Sequence, residues 1–543
     1  MKGTLMSVKF PARLAAAAAV VTLAGAACSS GSTVTETKDG GSAPAPSGGT
    51  VTVRMGAAPD TLDPFKTVTG SSGPVTYSTY DTLVQFNPTT KEYTGVVVES
   101  WDLTPASIKF KVKPGVTCAD GTKFLPSGMA ASLEAYLDPK TGSPYATRWL
   151  GKAPLTITPD DAGLTLTITA AKPFGALLSG LKMVPLVCPA GLKDRASLAS
   201  KANGSGPYEL TASTPGIAYT LKLRDDYTWG TNGFKPGAPG VPSTFNLKVI
   251  ANTATAANEL LAGTIDVADI AGVDVERVSA DKSITRIDLA TQGQYAVVGN
   301  QEKSRVTADP EVRHALYQGV DRKGLLLAML GPSGGELELG TSVIPPNMPG
   351  YDPSTASLVP QFSVDGAKAT LRAAGWTESA GKWTKDGKTL KVRMIGTGDW
   401  GNANELLASQ IKALGVEVDL SVTDGNGWLA DLSSGNYDVT IYPIDGSVEA
   451  PSALLPFYLG TLPPGGSNFI RSENADLSKL ADDTAALVGP EADKGWATIQ
   501  AELLKNYSLL PWMVPVGSYF TAAGVSLDTN GSPLTQAIRQ TKG

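Results

Sequence analysis

Residues 390–420 run Leu390-Lys391-Val392-Arg393-Met394-Ile395, then Gly396-Thr397-Gly398-Asp399-Trp400-Gly401, then a helical stretch over 402–414, then Val416-Glu417-Val418-Asp419-Leu420. This pattern predicts a strand over 390–395, a helix over 402–414 and a strand over 416–420. A strand, crossover helix and second strand imply a parallel sheet, so this region reads as α/β. The linker is also a literal G-x-G-x-x-G, with Asp419 about 20 residues on, which is the dinucleotide fingerprint on paper. The same geometry has a second use. A loop at the carboxyl end of a parallel strand, opening a helix, lines a crevice and offers backbone N–H groups to an anionic ligand. Trp400 then becomes a candidate cleft aromatic, and Trp428 in Gly425-Asn426-Gly427-Trp428 another.

Outward from that unit, the α/β texture begins near residue 300. Asp309 is placed to cap a helix with Pro310 at its first position, and Val312, Ala315, Leu316 and Gly319 fall on one face. A further helix is expected over 366–374. Before residue 300 the chain reads as strand-rich with few helices. Thr50-Val51-Thr52-Val53-Arg54-Met55 opens it, followed by the Pro- and Asp-rich loop Pro59-Asp60-Thr61-Leu62-Asp63-Pro64, a candidate cleft wall. Short strands are expected over 108–112, 155–158 and 164–168. The chain end, Leu509-Leu510-Pro511-Trp512-Met513-Val514-Pro515-Val516, is extended and apolar and suits a crossover back to the first part. No internal repeat is visible. The expectation is two lobes, with lobe I over 51–298 and again 510–543, lobe II over 299–509, and chain crossings near 298 and 510. That is the architecture of a hinge-closing binding protein.

The chain has 543 residues, 42 % hydrophobic and 18 % charged, enough to bury more than one core. Its first 27 residues carry Lys2, Lys9, Arg13 and no acid, followed by an apolar run over 14–27, which reads as an export signal. Fourteen residues are too few to span a bilayer as a helix. Beyond this leader the chain carries 42 basic and 51 acidic residues, net −9. That balance argues against nucleic acid, which requires a basic face. Leu23-Ala24-Gly25-Ala26-Ala27-Cys28 resembles a lipobox, with Gly25 where Leu is usual, and points to acylation of Cys28 and anchoring to the outer face of the cytoplasmic membrane. Residues 29–50, rich in Ser, Gly, Thr and Pro, have almost nothing to bury and read as a tether spanning about 25 Å on average. In an oxidising compartment, Cys118 and Cys188 are expected to pair, closing a loop of about 70 residues; the alternative is two independent buried thiols.

Other chemistry is poorly supplied. His314 is the single histidine and sits inside the helix that Asp309 caps, so a His-rich metal site is excluded and no nucleophile elbow is present. Export also carries the chain to where nicotinamide cofactors are scarce, which weighs against the dinucleotide reading. No cofactor and no catalytic residue are expected.

Ordered blocks then resemble one family. They are Val98-Glu99-Ser100-Trp101-Asp102; 108–116 with Asp120-Gly121-Thr122; Asp138-Pro139 with Ser143-Pro144-Tyr145-Ala146; Gly204-Ser205-Gly206-Pro207-Tyr208; 223–229; 261–267; Asp309-Pro310-Glu311-Val312-Arg313 with Asp321-Arg322; 371–376; Leu414-Gly415-Val416; and Tyr437-Asp438. Their shared order is similar to the solute-binding proteins of family 5, the peptide-binding receptors of ABC importers. The resemblance implies a periplasmic-binding-protein-like fold (type II, cluster C), with two lobes on a hinge and a strand-rich N-terminal lobe carrying an extra subdomain. It implies capture of di- or oligopeptides outside the cytoplasmic membrane by a monomer, and delivery to a permease with its ATPase. The alternatives are the same role for a sugar, haem or other chelate, or a signalling lipoprotein.

The resemblance also implies that Tyr145 and Tyr295 face the ligand; Trp101, Trp229 and Trp376 are expected to be packing anchors. One departure bears on substrate. Peptide-binding relatives commonly carry, some nine residues after the Tyr-Asp pair, an Asp that pairs with the peptide's α-amine. Here that place holds Ser447, with Asp445 two residues earlier. The amine-pairing carboxylate has therefore either shifted to Asp445 or is missing.

Overall fold

The computed structural model describes residues 48–543, apart from 68–69, 152, 273, 291–292, 332–338, 347, 349, 445–449, 464–465, 514–515, 529–530 and 542–543. The leader, Cys28 and nearly all of the tether lie outside the described residues, as does Asp445. No helix among the described residues is long and apolar enough to cross a membrane.

The strand-rich first part builds a seven-stranded mixed sheet. Its order is Thr285–Ala290, Val516–Thr521, Val267–Asp269, Thr50–Met55, Thr244–Val249, Ala218–Leu223, Tyr208–Thr214. Thr50–Met55 lies parallel to both of its neighbours, and the other pairings are antiparallel. A subdomain adds a four-stranded antiparallel sheet, Val98–Thr104, Ser107–Val112, Thr165–Ala170, Leu155–Asp160. Its second strand shows why it forms: Ile108, Phe110 and Val112 are buried while Lys109 and Lys111 are exposed, the period-2 pattern of a one-faced sheet.

The second body is built on a five-stranded sheet ordered Glu417–Thr423, Lys391–Thr397, Val439–Ile444, Gln294–Gly299, Leu509–Met513. Lys391–Thr397 and Glu417–Thr423 run parallel with the Ala403–Ala413 helix between them, as expected for residues 390–420. The sheet is nevertheless mixed, because Gln294–Gly299 is antiparallel to both Val439–Ile444 and Leu509–Met513. The Pro310–Gln318 helix carries the expected cap, with the Asp309 carboxylate accepting from the Glu311 N–H and Pro310 at the first position.

The buried apolar residues divide between the two bodies. One continuous core draws only on residues 296–513. Two others draw on 51–278 and 520–538. This is a two-lobed protein, with lobe I around the seven-stranded sheet and lobe II around the five-stranded one. The chain passes to the second sheet between Ala290 and Gln294 and returns between Met513 and Val516, where the sequence placed the passages near 298 and 510.

Several family blocks meet in one polar knot in lobe I. Asp81 is buried and accepts from the Tyr227 hydroxyl at 3.1 Å and from Trp229 Nε1 at 2.9 Å. Burial pushes its carboxyl up to about 6, against the opposing hydrogen bonds from Trp229 and Tyr227. Arg224 donates to the carbonyls of Thr117, Cys118 and Gly206, joining three separated segments. Close packing requires Gly204 and Gly206, since a Cβ at either would overlap the Thr79 or Ser78 carbonyl. Cys118 and Cys188 form a disulfide beside this knot, Cα atoms 6.1 Å apart.

Candidate ligand site at the lobe interface

Lobe II presents a row of aromatic rings from its sheet and the loops above it. Trp400 follows the Lys391–Thr397 strand and is buried edge-on to Trp428, centroids 5.3 Å apart. Trp428, in the Gly425–Ser434 helix, is held by its Nε1 donating to Thr440 Oγ1 at 3.1 Å. Its ring lies 6.5 Å from Tyr442, which in turn sits 5.9 Å from Phe457 and 6.0 Å from Phe469. Edge-to-face rings at these spacings prefer one relative geometry and so hold one another in place. Tyr295, on Gln294–Gly299, is packed edge-on to Trp512 at 6.0 Å.

Lobe I answers with the segment from the end of the Pro126–Leu137 helix through the Ala146–Leu150 helix. Tyr145 stacks on Trp149 at 4.9 Å, and Tyr136 lies parallel to the same indole at 6.2 Å. The two lobes touch here. The Arg148 guanidinium lies 4.8 Å over the Phe457 ring, a cation–π contact between lobes. Beside it, Ala176 of lobe I is buried with Ala450 and Ala453 of lobe II, under Trp149, Phe174 and Met183. The backbone of Gly175 is hydrogen-bonded to Ala485 across the same seam.

The polar atoms of this seam are under-used. Tyr136 Oη, Ser143 Oγ, Trp149 Nε1 and Tyr442 Oη are all buried with no hydrogen-bond partner among the described residues. A buried donor left unmade costs about 1–3 kcal/mol, so a group of them in one place marks where something else binds. Burial holds the Tyr442 phenol well above its ordinary range, Tyr458 adds to this, and the nearby Arg148 opposes it. Tyr442 thus stays a neutral hydrogen-bonding phenol.

Of the residues singled out from sequence, the structure brings Trp400 and Trp428 together in one lobe and puts Tyr145 in the other, next to the interlobe contact. Tyr295 packs on Trp512, and Asp445 falls outside the described residues. Sequence reasoning missed Arg148, Trp149, Tyr442 and Phe457. The signal available for Trp149 and Arg148 was their place three and four residues after Tyr145, within one helical turn. Gly396, first glycine of the G-x-G-x-x-G, serves packing: a Cβ there would overlap Asn404, whose side chain donates to the Thr397 carbonyl at 2.8 Å. His314 stacks on Tyr507 at 4.0 Å on the helix surface. Among the described residues no group of three or more His, Cys, Asp or Glu is placed to hold a metal ion.

The model of the bacterial extracellular solute-binding proteins, family 5, matches residues 92–465. The Probable D,D-dipeptide-binding periplasmic protein DdpA of Escherichia coli is 25 % identical over 458 residues, 79 % of this chain and 81 % of that protein. The oligopeptide-binding protein OppA of Mycobacterium bovis is 22 % identical over 458 residues, 82 % of this chain and 72 % of its own length. A substrate-binding protein of Microbacterium hydrocarbonoxydans, solved in complex with 4-hydroxybenzoate hydrazide, is 25 % identical with a TM-score of 0.72, covering 91 % of this chain and 100 % of that one.

Proposed function

Since the chain belongs to the bacterial extracellular solute-binding proteins of family 5, we propose that it captures a small solute between its lobes outside the cytoplasmic membrane and hands it to an ABC permease. The observation that carries this reading is the seam itself. Aromatic rings and unpartnered polar atoms from both lobes converge where the lobes touch. A ligand touching both lobes favours the closed state by its differential affinity, and that shift is the whole of the work done. Lobe I is taken as residues 48–290 with 516–541, and lobe II as 294–513. Cys28 is the lipidated residue, and residues 29–50 are the tether. Tyr145, Tyr295, Trp400 and Trp428 are the residues expected to meet the ligand in the cleft. The protein acts as a monomer and binds without bond-making.

Short peptides are the first ligand class, supported by the relatives named for dipeptide and oligopeptide binding. A non-peptide ligand is favoured by a separate observation, the aromatic lining together with a structural neighbour that holds an aromatic hydrazide. Thermal-shift screening separates the two. Stabilisation by peptide pools supports the first class, and stabilisation only by other solutes removes it. For the anchor, Cys28→Ala is expected to move the protein from the membrane fraction to the soluble one, and unchanged membrane association removes that part.

A further inference from the structure

We propose that the seam takes a solute bearing an aromatic ring together with acyl or carboxylate oxygens, the ring packing among Trp428, Tyr442 and Phe457 and the oxygens accepting from Trp149 and Tyr442. This rests on the receptor reading above and names the chemistry of its ligand.

The unpartnered atoms constrain the ligand first. An indole N–H only donates, and Trp149 Nε1 is buried without an acceptor among the described residues. The ligand must therefore present an acceptor to the lobe I wall. From lobe II the Tyr442 hydroxyl, on a residue 2 % exposed, is in the same state. Tyr136 Oη and Ser143 Oγ add two more hydroxyls on the lobe I side. Arg148 brings a cation to the seam, near enough to Tyr442 to act on its ionisation and lying over Phe457. A donor-rich site suits carbonyl and carboxylate oxygens.

The walls specify the rest. On lobe II the Tyr442 ring lies against Trp428, Phe457 and Phe469, and on lobe I Tyr145 stacks on Trp149, next to the Arg148–Phe457 contact. Ring faces and edges so arranged gain offset-stacked and edge-to-face contacts from a planar π-system that a saturated ring cannot return. The shared chemistry has two sources: a free aromatic acid or acyl compound, and the aromatic residue of a peptide.

The test is calorimetry on the purified protein with five probes: 4-hydroxybenzoate, benzoic hydrazide, cyclohexanecarboxylate, Ala-Ala-Phe and Ala-Ala-Ala. Binding of either aromatic acyl compound, with the cyclohexane analogue at least tenfold weaker, supports the proposal and assigns a free aromatic source. Binding of Ala-Ala-Phe at least tenfold over Ala-Ala-Ala supports it and assigns a peptide source. Tyr442→Phe keeps the ring and removes one donor, and Trp149→Phe removes the other donor along with part of the indole. Each is expected to weaken the preferred probe by roughly five- to thirtyfold, while unliganded melting of Tyr442→Phe stays the same or rises because a buried unmade donor is gone. Equal binding of aromatic and aliphatic probes, or unchanged affinity in both variants, overturns the proposal. If Ala-Ala-Ala binds and no aromatic probe does, the proposal falls and the receptor reading stands. If none of the five binds, the proposal falls; if a ligand that binds leaves the scattering of the protein unchanged, both fall.

Discussion

The backbone N–H of Gly175 in lobe I donates to the carbonyl of Ala485 in lobe II at 2.7 Å. A Cβ at Gly175 would overlap the Leu487 carbonyl of the opposite lobe, while its φ lies in the range any L-residue adopts. The requirement for glycine therefore comes from the closed state and not from the fold of lobe I. Gly175→Val is expected to leave unliganded melting within a degree or two and to weaken ligand affinity about 5- to 100-fold, the usual cost of overpacking a tight contact. Calorimetry beside a melting curve checks it. Native affinity in a folded Gly175→Val protein would mean that the seam does not form in the bound state.

Arg148 over Phe457 is another contact that exists only when the lobes meet. A partly desolvated cation–π pair contributes about 1–2 kcal/mol. Arg148→Ala and Phe457→Leu should each weaken affinity several-fold, chiefly through faster ligand release, and the double variant should cost less than the two effects combined. Stopped-flow dissociation rates provide the check. Full additivity would show that the two residues act separately.

Asp81 sets a pH dependence of opposite sign to that of a surface carboxylate. Its carboxyl is raised by burial from 3.8 to about 6, so between those values the folded state holds a proton that the unfolded chain has released. Stability from this group is full below about pH 4 and is lost as pH rises to about 6, a change of about 3 kcal/mol. Melting of the native protein relative to Asp81→Asn should therefore fall across pH 4 to 6 and then level. A difference that is constant or rises with pH over that range would refute the assignment.

The Cys118–Cys188 disulfide closes a sequence separation of 70 residues. Replacing both cysteines with Ala should lower unfolding free energy by about 2–4 kcal/mol in denaturant titrations, with ligand affinity unchanged because the bond lies within lobe I. A fall in affinity with no loss of stability would contradict this.

Much of the fold is legible in residues whose local chemistry has one reading. Asp309-Pro310 starts a helix because its carboxylate and missing N–H suit that position alone, and 390–420 alternates strand, helix and strand within reach of itself. The direction of Leu509–Met513 is not legible, since an apolar run carries no mark of parallel or antiparallel pairing. The Asp81 knot is hidden for a different reason: Tyr227 and Trp229 lie about 150 residues away and nothing near Asp81 announces them. The same distance hides the seam. Arg148 meets Phe457 only after two separate cores have formed, so the sequence points to single aromatics such as Tyr145 and Trp428 and not to the surface they complete.

Closure over a solute is the claim everything else depends on, and small-angle X-ray scattering of the purified protein measures it directly. With a ligand that calorimetry shows to bind, the radius of gyration should contract and the scattering should match the closed arrangement in which Arg148 meets Phe457. In Gly175→Val the contraction should be lost. Scattering that stays the same with and without a bound ligand would contradict the account.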